Sequence, residues 1–327
     1  MSSTPLNNQK IAIVGAGISG LSCGELLSRS GADVFCFEKS RGPGGRMSTR
    51  RQASDQFDHG AQYFTARSLD FKTALESWFH SGVAKAWTGR FGRVDSKNRI
   101  HSIENPETIW VGTPKMSSIT RFLSRSLNVS YSQTIVSSQH REEGWFLVSA
   151  TGEQFGPFDV LVMSCPGPQV ADILQPVPMP TVMMKYEPCW SLMLDYERPL
   201  HNHWDSLTFD LGPLSWAARD SSKPGRESGH RWVLHASPSW SDAHFKHDST
   251  WVINALLEYF WKFSGRTPRS ATAHRWRYAR SLSASKEDSY FHAAHRLGIC
   301  GDGFTAGRIE SAWLSGVDLG RRILETL

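Results

Sequence analysis

Three glycines near the amino end have the spacing that binds the phosphates of a dinucleotide. Gly15, Gly17 and Gly20 form the pattern G-x-G-x-x-G. The first glycine permits a tight turn, the second lets a pyrophosphate approach the backbone, and the third lets a helix pack closely on a strand. The N–H groups of the following helix then face the phosphates. Glu38 lies where a carboxylate accepts hydrogen bonds from a ribose, and an acid there disfavours a 2′-phosphate.

A second glycine-rich turn follows this acid almost at once. In RGPGGR, residues 41–46, the pair Gly44–Gly45 is followed by Arg46. A nicotinamide dehydrogenase does not need such a turn, whereas FAD requires backbone close to its pyrophosphate and ribityl chain. Arg46 can add charge-assisted hydrogen bonds to phosphate. The segment therefore favours FAD over NAD or NADP, the alternative being an ordinary solvated loop.

The elements around these motifs form a strand–helix–strand unit. Residues 10–15 are apolar enough for a buried parallel strand, 18–30 predict a helix that ends at Gly31, and 32–38 predict a second strand. This order is typical of a doubly wound sheet. Other helices are predicted over residues 68–80, 117–127, 251–263 and 308–324, a three-stranded meander over 129–164, and a strand ending in a glycine turn over 296–304.

The distribution of tryptophan indicates a second domain. Eight of the thirteen tryptophans lie within residues 181–276, in or near extended apolar runs. We therefore predict an α/β fold in which a strand-rich substrate domain is inserted into a Rossmann-like FAD-binding domain. Within the inserted domain, the polar segment 220–229 is predicted to be a surface loop. The predicted FAD-binding domain comprises residues 1–70, 111–180 and 275–327, and the predicted substrate domain comprises residues 71–110 and 181–274.

Composition argues against several other classes of protein. The net charge is +5, but the basic residues are scattered, so nucleic-acid binding is not expected. Five cysteines without a C-x-x-C pattern predict reduced thiols. A polar amino terminus and the lack of a long apolar run predict a cytoplasmic protein without membrane association. No metal is expected, because the histidines at 201–203, 244/247 and 292/295 lack a third ligand at suitable spacing.

Four segments together resemble the flavoprotein amine oxidase superfamily. They are GAGISGL, FEKSRGPGGRMSTRR, DHGAQYFT (58–65) and GICGDGFTAGRIESAWLSGVDLG (298–320). Within that superfamily they are most similar to the bacterial renalases, and HRWRYAR (274–280) adds to this likeness in the middle of the chain. The resemblance implies the architecture shared by p-hydroxybenzoate hydroxylase and the amine oxidases.

The resemblance also implies how FAD is held, with its isoalloxazine ring between the two domains. Binding is expected to be noncovalent, because Cys300 does not match the cysteine motif through which monoamine oxidases attach FAD. Val136 would offer backbone hydrogen bonds to the adenine, Asp302 would bond the ribityl chain, and Ile309 would present backbone to the flavin pyrimidine edge. The other residues implied to line the cofactor are Ser19, Glu38, Lys39, Arg46, Gln62 and Tyr63.

Renalases oxidise isomers of NAD(P)H that carry the hydride at ring position 2 or 6, and the resemblance implies this reaction here. In it flavin N5 accepts the hydride, NAD(P)⁺ leaves, and dioxygen reoxidises the flavin to give hydrogen peroxide. Rearomatisation drives the transfer, so little acid–base machinery is required, and no side chain is assigned as catalytic. Two alternatives stay open: an oxidase acting on small amines, and an FAD-binding redox module without turnover.

Candidate substrate residues follow from the shape of a nicotinamide ring. A flat ring with a carboxamide suits an aromatic slot beside a histidine or arginine. Such residue types concentrate in segment 274–280, although they could equally be core residues of strands. The candidate substrate-binding residues are Tyr63, Tyr186, Trp190, His274, Trp276, Arg277 and Tyr278.

Overall fold

The computed structural model describes residues 6, 8–52, 55–104, 107–174, 185–201, 203–282, 285, 287–304 and 307–327. The strands in these ranges are β1 (Lys10–Val14), β2 (Asp33–Glu38), β3 (Arg50–Gln52), β4 (Asp55–Phe57), β5 (Ala84–Ala86), β6 (Phe91–Val94), β7 (Ile100–Ser102), β8 (Trp110–Gly112), β9 (Asn128–Tyr131), β10 (Ile135–Arg141), β11 (Gly144–Ser149), β12 (Gln154–Phe158), β13 (Val160–Met163), β14 (Tyr186–Tyr196), β15 (Ser206–Phe209), β16 (Leu214–Arg219), β17 (His230–Ala236), β18 (Ser270–Ser281), β19 (Tyr290–His292) and β20 (Leu297–Ile299). The helices are α1 (Ile18–Arg29), α2 (Leu69–His80), α3 (Ser118–Leu123), α4 (Gly167–Ile173), α5 (Pro238–Ala243), α6 (Ser249–Ser264) and α7 (Ile309–Thr326).

The chain divides into two compact units, of which the first comprises Met1–Met47, Ile119–Lys185 and Arg280–Leu327. Its main sheet has the strand order β19-β20-β13-β1-β2-β9. All neighbouring pairs run parallel except β19 with β20. Ile11 and Val160, on neighbouring strands, are fully buried, as expected of a parallel sheet covered on both faces.

Helix α1 connects β1 to β2 and places the glycine motif at the sheet's carboxyl edge. The motif follows the end of β1, and Glu38 is the last residue of β2. Helix α7 packs on α1 at Gly316, where an added Cβ would lie 2.1 Å from the Ser19 carbonyl oxygen. Only glycine allows the two helices to approach this closely. The sheet edge where dinucleotides bind in such folds therefore carries the predicted ligands.

The strands between 128 and 163 are arranged differently from the predicted meander. The first predicted strand is split near Ser132, whose φ is +58°. Its first half, β9, pairs with β2, and its second half, β10, starts a three-stranded sheet with β11 and β12. The last run, β13, is buried at every position and pairs with β1. An apolar run of this kind belongs to the covered parallel sheet rather than to a half-exposed meander.

The second unit comprises Ser48–Ser118 and Tyr186–Ala279. Its seven-stranded sheet has the order β18-β14-β17-β16-β15-β6-β7. One face of this sheet packs against α6, where Leu192, Leu234 and Phe260 are fully buried. Because side chains alternate along a strand, the neighbours of these sheet residues, such as Met193 and Val233, lie on the opposite face.

The unit boundaries differ from those predicted. Residues 48–70 and 111–118 belong to the second unit, although the predicted domains assigned them to the FAD-binding domain. The boundaries differ because these residues make contacts with residues that are far from them in the sequence. Asp58, for example, accepts a hydrogen bond from the backbone N–H of Met116 (3.0 Å) and donates its own N–H to Asp220 (3.3 Å). Residues 275–279 continue β18 and also belong to the second unit.

The prediction of a surface loop at 220–229 is wrong for three charged residues, whose side chains are buried. The side chains of Asp220 and Lys223 are 1% and 0% exposed, and that of Arg226 is 2% exposed. Charged groups can be buried in this way only when they are paired. These residues are paired with one another and with Asp58, whose position in the chain gives no hint of the contact.

Three further observations concern the described part of the chain. No helix there combines the length and the apolar character needed to cross a membrane. No group of three or more histidine, cysteine, aspartate or glutamate side chains in those ranges is placed to hold a metal ion. All five cysteines are free thiols, and burial raises the pKa of Cys36 and of Cys165 to about 12.

Candidate functional site

The amino end of α1 is open at Gly17. Gly15 has φ +108°, and a Cβ there would lie 2.9 Å from the Ser164 carbonyl oxygen, so glycine is required by the chain itself. At Gly17, by contrast, a Cβ would meet no described atom within 4 Å. Gly17 is the N-cap of α1, no side chain among the described residues caps the helix, and its first turn has no acid. Free N–H groups and open space at this end suit a phosphate.

Glu38 is held by the glycine loop. Its carboxylate accepts a hydrogen bond from the backbone N–H of Ala16 (2.9 Å) and another from that of Ser40 (2.8 Å). The side chain is 5% exposed. A carboxylate has about four lone-pair positions, so this one can still accept from ribose hydroxyls. Lys39 follows it and is exposed to solvent.

The second glycine turn lies against the first. The backbone N–H of Gly44 donates to the Ala16 carbonyl oxygen (3.0 Å), and a Cβ on Gly45 would be 3.6 Å from Gly17 Cα. Arg46, which follows, makes a bidentate ion pair with Asp302, one bond of which measures 2.6 Å. The structure thus brings together the two motifs and a third predicted ligand from the far end of the chain.

Val136 and Ile309 occupy positions with backbone groups suited to a ligand. The register of β10 on β11 pairs Ile135 with Ser149 and Ser137 with Val148, so Val136 is the extra residue of a bulge. It is 44% exposed. Ile309 is the first residue of α7, whose N-cap, Arg308, makes no side-chain cap within the described residues.

Together these residues fit the dinucleotide part of FAD. The open cradle at Gly17, the uncapped amino end of α1 and the carboxylate of Glu38 match a pyrophosphate and a ribose. Ser19 is buried in the first turn of α1, and Gly20 is required by packing, since a Cβ there would lie 2.3 Å from the Gly15 carbonyl oxygen.

The second unit carries a separate group of predicted residues on one face of its sheet. Trp216 on β16 pairs in register with His235 on β17, and His235 pairs with Ser191 on β14. This row lies on the face opposite the α6 core. On β18, Ala271 and Ala273 pack on that core, so alternation places His274 and Trp276 on the same face as the row. We call this surface the polar sheet face.

His59 packs over the polar sheet face. Its ring centroid is 4.8 Å from that of His274 and 4.9 Å from that of Trp276. Its carbonyl oxygen accepts a hydrogen bond from the Trp276 indole N–H (3.0 Å) and lies 3.3 Å from His235 Nε2. Tyr63, four residues along, packs on Trp216 with ring centroids 5.3 Å apart. Segment 59–63 therefore lies along the polar sheet face.

Three buried polar atoms on this face have no hydrogen-bond partner among the described residues. They are His59 Nδ1, Ser191 Oγ and Trp216 Nε1. A buried polar group without a partner costs about 1–3 kcal/mol, so such groups are uncommon unless a ligand or water completes them. An indole N–H donates, a hydroxyl both donates and accepts, and one nitrogen of a neutral imidazole accepts. A primary carboxamide has both donors and an acceptor, which is the chemistry that complements groups of this kind.

The imidazoles of this face remain uncharged near neutral pH. Burial, together with the nearby His274 and Arg50, lowers the pKa of His59 to about 3. Burial likewise lowers the pKa of His235 to about 4. His274 also has a lowered pKa, because of burial and because Arg50 lies 3.3 Å from its Nδ1. The surroundings of these imidazoles are thus aromatic and neutral, and the Arg50 guanidinium lies beside His274.

This protonation behaviour predicts a loss of stability in mild acid. An unfolded histidine titrates near pH 6.5, so the unfolded chain takes up a proton below that pH while folded His59 does not. The free energy of unfolding should therefore fall by about 2 kcal/mol at pH 5 for His59 alone. Urea denaturation of the parent and of His59→Phe at pH 7.5 and pH 5 checks this. Equal pH dependence in the two proteins would contradict it.

Two of the predicted substrate residues, Arg277 and Trp190, lie away from the polar sheet face. Arg277 has the opposite parity to Trp276 on β18, and its guanidinium lies over the Phe245 ring, 5.7 Å from the centroid. Trp190 is 3% exposed within the core against α6. Tyr278 has the same parity as Trp276 on β18, and its ring contacts Tyr186, with ring centroids 5.5 Å apart.

Gln62, predicted to line the cofactor, has its side-chain amide engaged within the second unit. Its Nε2 donates to the carbonyl oxygens of Asp58 and Gly60, and its Oε1 accepts from Lys223. Sequence reasoning missed His59, His235, Ser191, Trp216 and Arg50 as members of the polar sheet face. A signal existed for His235, because alternation in WVLHAS separates it from the apolar residues on either side.

Two comparisons with known proteins match part of the chain. Residues 13–78 match the family described as an NAD(P)-binding Rossmann-like domain. The hydroxyneurosporene desaturase of Rubrivivax gelatinosus is 38% identical over 63 residues, which are 19% of this chain and 12% of that protein. The matched part of the chain thus spans about an eighth of that relative's length.

Solved structures are similar over nearly the full length. A protein of Exiguobacterium sp. 255-15, provisionally assigned as a protoporphyrinogen oxidase, aligns over 100% of both chains with a TM-score of 0.76 and 12% identity. Wild-type putrescine oxidase bound to putrescine aligns over 97% of this chain and 99% of its own, with a TM-score of 0.72 and 11% identity. The predicted fold class, a Rossmann-like dinucleotide-binding domain with an inserted strand-rich domain, is confirmed.

Proposed function

We propose that this protein is an FAD-dependent oxidoreductase that converts 2- and 6-dihydro isomers of NAD(P)H to NAD(P)⁺, with dioxygen as the electron acceptor and hydrogen peroxide as the second product. The observation that carries the proposal is the polar sheet face. It combines aromatic rings, neutral imidazoles and three polar atoms without partners among the described residues, which is the chemistry that binds a flat, uncharged ring bearing a carboxamide.

The first unit supplies the proposed cofactor site. The amino end of α1 would hold the pyrophosphate, Glu38 the adenosine ribose, and Arg46 with Asp302 the adjoining polar chain. Gln62 and Tyr63 are not needed for this half of the cofactor. When bound, FAD supplies a two-electron acceptor that dioxygen can reoxidise. The protein's own part is to bind and orient its ligands.

In the second unit, Trp276 and His59 would stack on the dihydropyridine ring. Ser191, Trp216 and His59 Nδ1 would hydrogen bond the carboxamide and so fix which edge of the ring faces outward. A dihydropyridine becomes aromatic when it loses a hydride, so no strong base is required. The low pKa values of His59 and His235 agree with this, because an imidazole with so low a pKa is a weak base at pH 7.

A cationic amine is a poorer match for the same face. Arg50 lies at its edge and would repel an ammonium group. The buried acids beneath it, Asp58 and Asp220, are already paired with Arg226 and Lys223. On β14, Asp195 has the parity of Ser191 and is paired with Arg269.

The proposed cofactor is expected to be bound without a covalent link. Cys300 is 1% exposed and lies in the core of the first unit, where it cannot reach a ligand. The purified protein should be yellow and should release intact FAD into the supernatant on acid or heat denaturation. Flavin that precipitates with the polypeptide would contradict noncovalent binding, and no affinity for flavin at all would overturn the proposed function.

A further inference from the structure

Four charged side chains form a buried ionic cluster in the second unit. Asp58, Asp220, Lys223 and Arg226 have side chains no more than 2% exposed. Lys223 Nζ lies 2.7 Å from Asp220 Oδ1 and 3.7 Å from Asp58 Oδ2, and Arg226 pairs with Asp58. Burial by itself would raise the pKa of Asp58, but Arg226 and Lys223 hold it below its usual value. Two acids and two bases leave no net charge.

The cluster reaches the polar sheet face through Gln62. Lys223 Nζ donates to Gln62 Oε1 over 3.1 Å, and Gln62 Nε2 donates to the Gly60 carbonyl oxygen over 3.0 Å and to that of Asp58. An ammonium group can only donate, so Lys223 decides which end of the amide is oxygen. The nitrogen is thereby directed at two carbonyl oxygens of the chain segment that immediately precedes it.

That segment carries groups of the polar sheet face at both ends. The His59 ring, near its start, packs on Trp276, and the His59 carbonyl oxygen accepts a hydrogen bond from the Trp276 indole N–H. Tyr63, at its end, packs on Trp216. A change in the orientation of Gln62 would therefore be transmitted to both sides of the face, while the charge of Lys223 also acts directly on His235, whose pKa it lowers.

We propose that Lys223 is a positioning residue, which through Gln62 fixes segment 58–63 against the polar sheet face. Buried ion pairs contribute little net stability, and well-packed apolar groups can often replace them. Stability alone is thus a weak reason for this cluster, whereas the Lys223–Gln62 bond has a directional consequence. Only the choice of ligand in the test below rests on the proposed function.

The test uses the FAD-bound protein and the double variant Lys223→Met/Asp220→Asn. Removing one base and one acid keeps the cluster neutral, and the amide oxygen of the introduced asparagine can still accept the Asp58 N–H. The melting temperature should stay within a few degrees. The backbone amides of segment 58–63 should exchange about tenfold faster, and the affinity for NAD⁺ should fall about tenfold. Both effects have the size expected from losing one charge-assisted hydrogen bond. Gln62→Met alone should give the same changes, and the triple variant should add nothing further.

The matched control is Lys262→Met, since Lys262 on α6 lies over the Tyr259 ring, 5.0 Å away, and away from the polar sheet face. It should leave both readouts unchanged. Unaltered exchange in the double variant and in Gln62→Met would overturn the proposal. If the parent itself fails to bind NAD⁺, the proposed function is in error, and the exchange rates still decide the role of Lys223. If the double variant does not fold, hydrogen exchange in the Gln62→Met variant decides the proposal.

Discussion

Gly17→Val is expected to lower the affinity for FAD by about a hundredfold or more, through loss of the phosphate contacts at the start of α1, while leaving the apoprotein folded. The backbone at Gly17 has φ −76° and ψ 174°, which any residue can adopt. A Cβ at this position would meet no described atom within 4 Å. The chain therefore does not need glycine here, but an approaching pyrophosphate does.

The neighbouring Gly20 provides the contrast. A Cβ on Gly20 would lie 2.3 Å from the Gly15 carbonyl oxygen, so Gly20→Val should destabilise the apoprotein itself. Titration of the two apoproteins with FAD, together with their thermal denaturation, separates the effects. Undiminished FAD affinity in Gly17→Val would mean that the cofactor does not lie on this helix end.

Dihydronicotinamides with the hydride at ring position 2 or 6 are expected to react about a hundredfold faster than β-NADH, because a displacement of roughly 1 Å from the productive geometry can cost that much in rate. The polar sheet face would hold the ring by stacking and the carboxamide by hydrogen bonds. A ring fixed in both ways presents one edge to its acceptor. If that edge contains carbon 2 or 6, the carbon 4 hydride of β-NADH is misplaced.

Trp276→Ala should reduce the ratio of the rate with the 2- and 6-dihydro isomers to the rate with β-NADH. The nicotinamide ring would lose its stacking partner, and the His59 carbonyl oxygen would lose the hydrogen bond from Trp276. The matched control is Trp251→Ala on α6, which replaces a 39% exposed indole outside the polar sheet face. The control should keep the parent's preference. If Trp276→Ala keeps the parent's preference for the 2- and 6-dihydro isomers, the nicotinamide ring binds somewhere other than the polar sheet face.

The dinucleotide-binding unit could be predicted closely from the sequence because its signals are local. The glycine spacing, Glu38 at the end of a strand, and apolar runs of strand length all lie within the first forty residues. Their physical roles depend on neighbours in the chain. Predicting the Arg46–Asp302 pair required more, since these residues are 256 positions apart; only the family resemblance brought both into one list.

The substrate side was predicted less well because its geometry depends on pairing between distant strands. Alternation along β18 separates Arg277 from His274 and Trp276, and this could have been inferred from the sequence alone. The row formed by Trp216, His235 and Ser191 could not be inferred in this way, because it depends on the register of three strands.

Segment 220–229 shows the same limit in another form. Its residues are polar and rich in turn formers, so the sequence indicates a loop exposed to solvent. Burial of Lys223 depends on the carboxylates of Asp220 and Asp58 and on the acceptor Gln62, and of these only Asp220 lies in the same segment.

Anaerobic mixing of the oxidised, FAD-containing protein with one reductant at a time tests the central claim most directly. The reductants are 2-dihydro-NAD, 6-dihydro-NAD, β-NADH and putrescine, and the loss of flavin absorbance is followed by stopped flow. Rapid bleaching by one or both isomers, slow bleaching by β-NADH and none by putrescine is the expected result. Admitting air should then restore the flavin absorbance and yield hydrogen peroxide in an amount equal to the NAD⁺ formed. Rapid bleaching by putrescine with both isomers inert would contradict the account and assign the protein to amine oxidation.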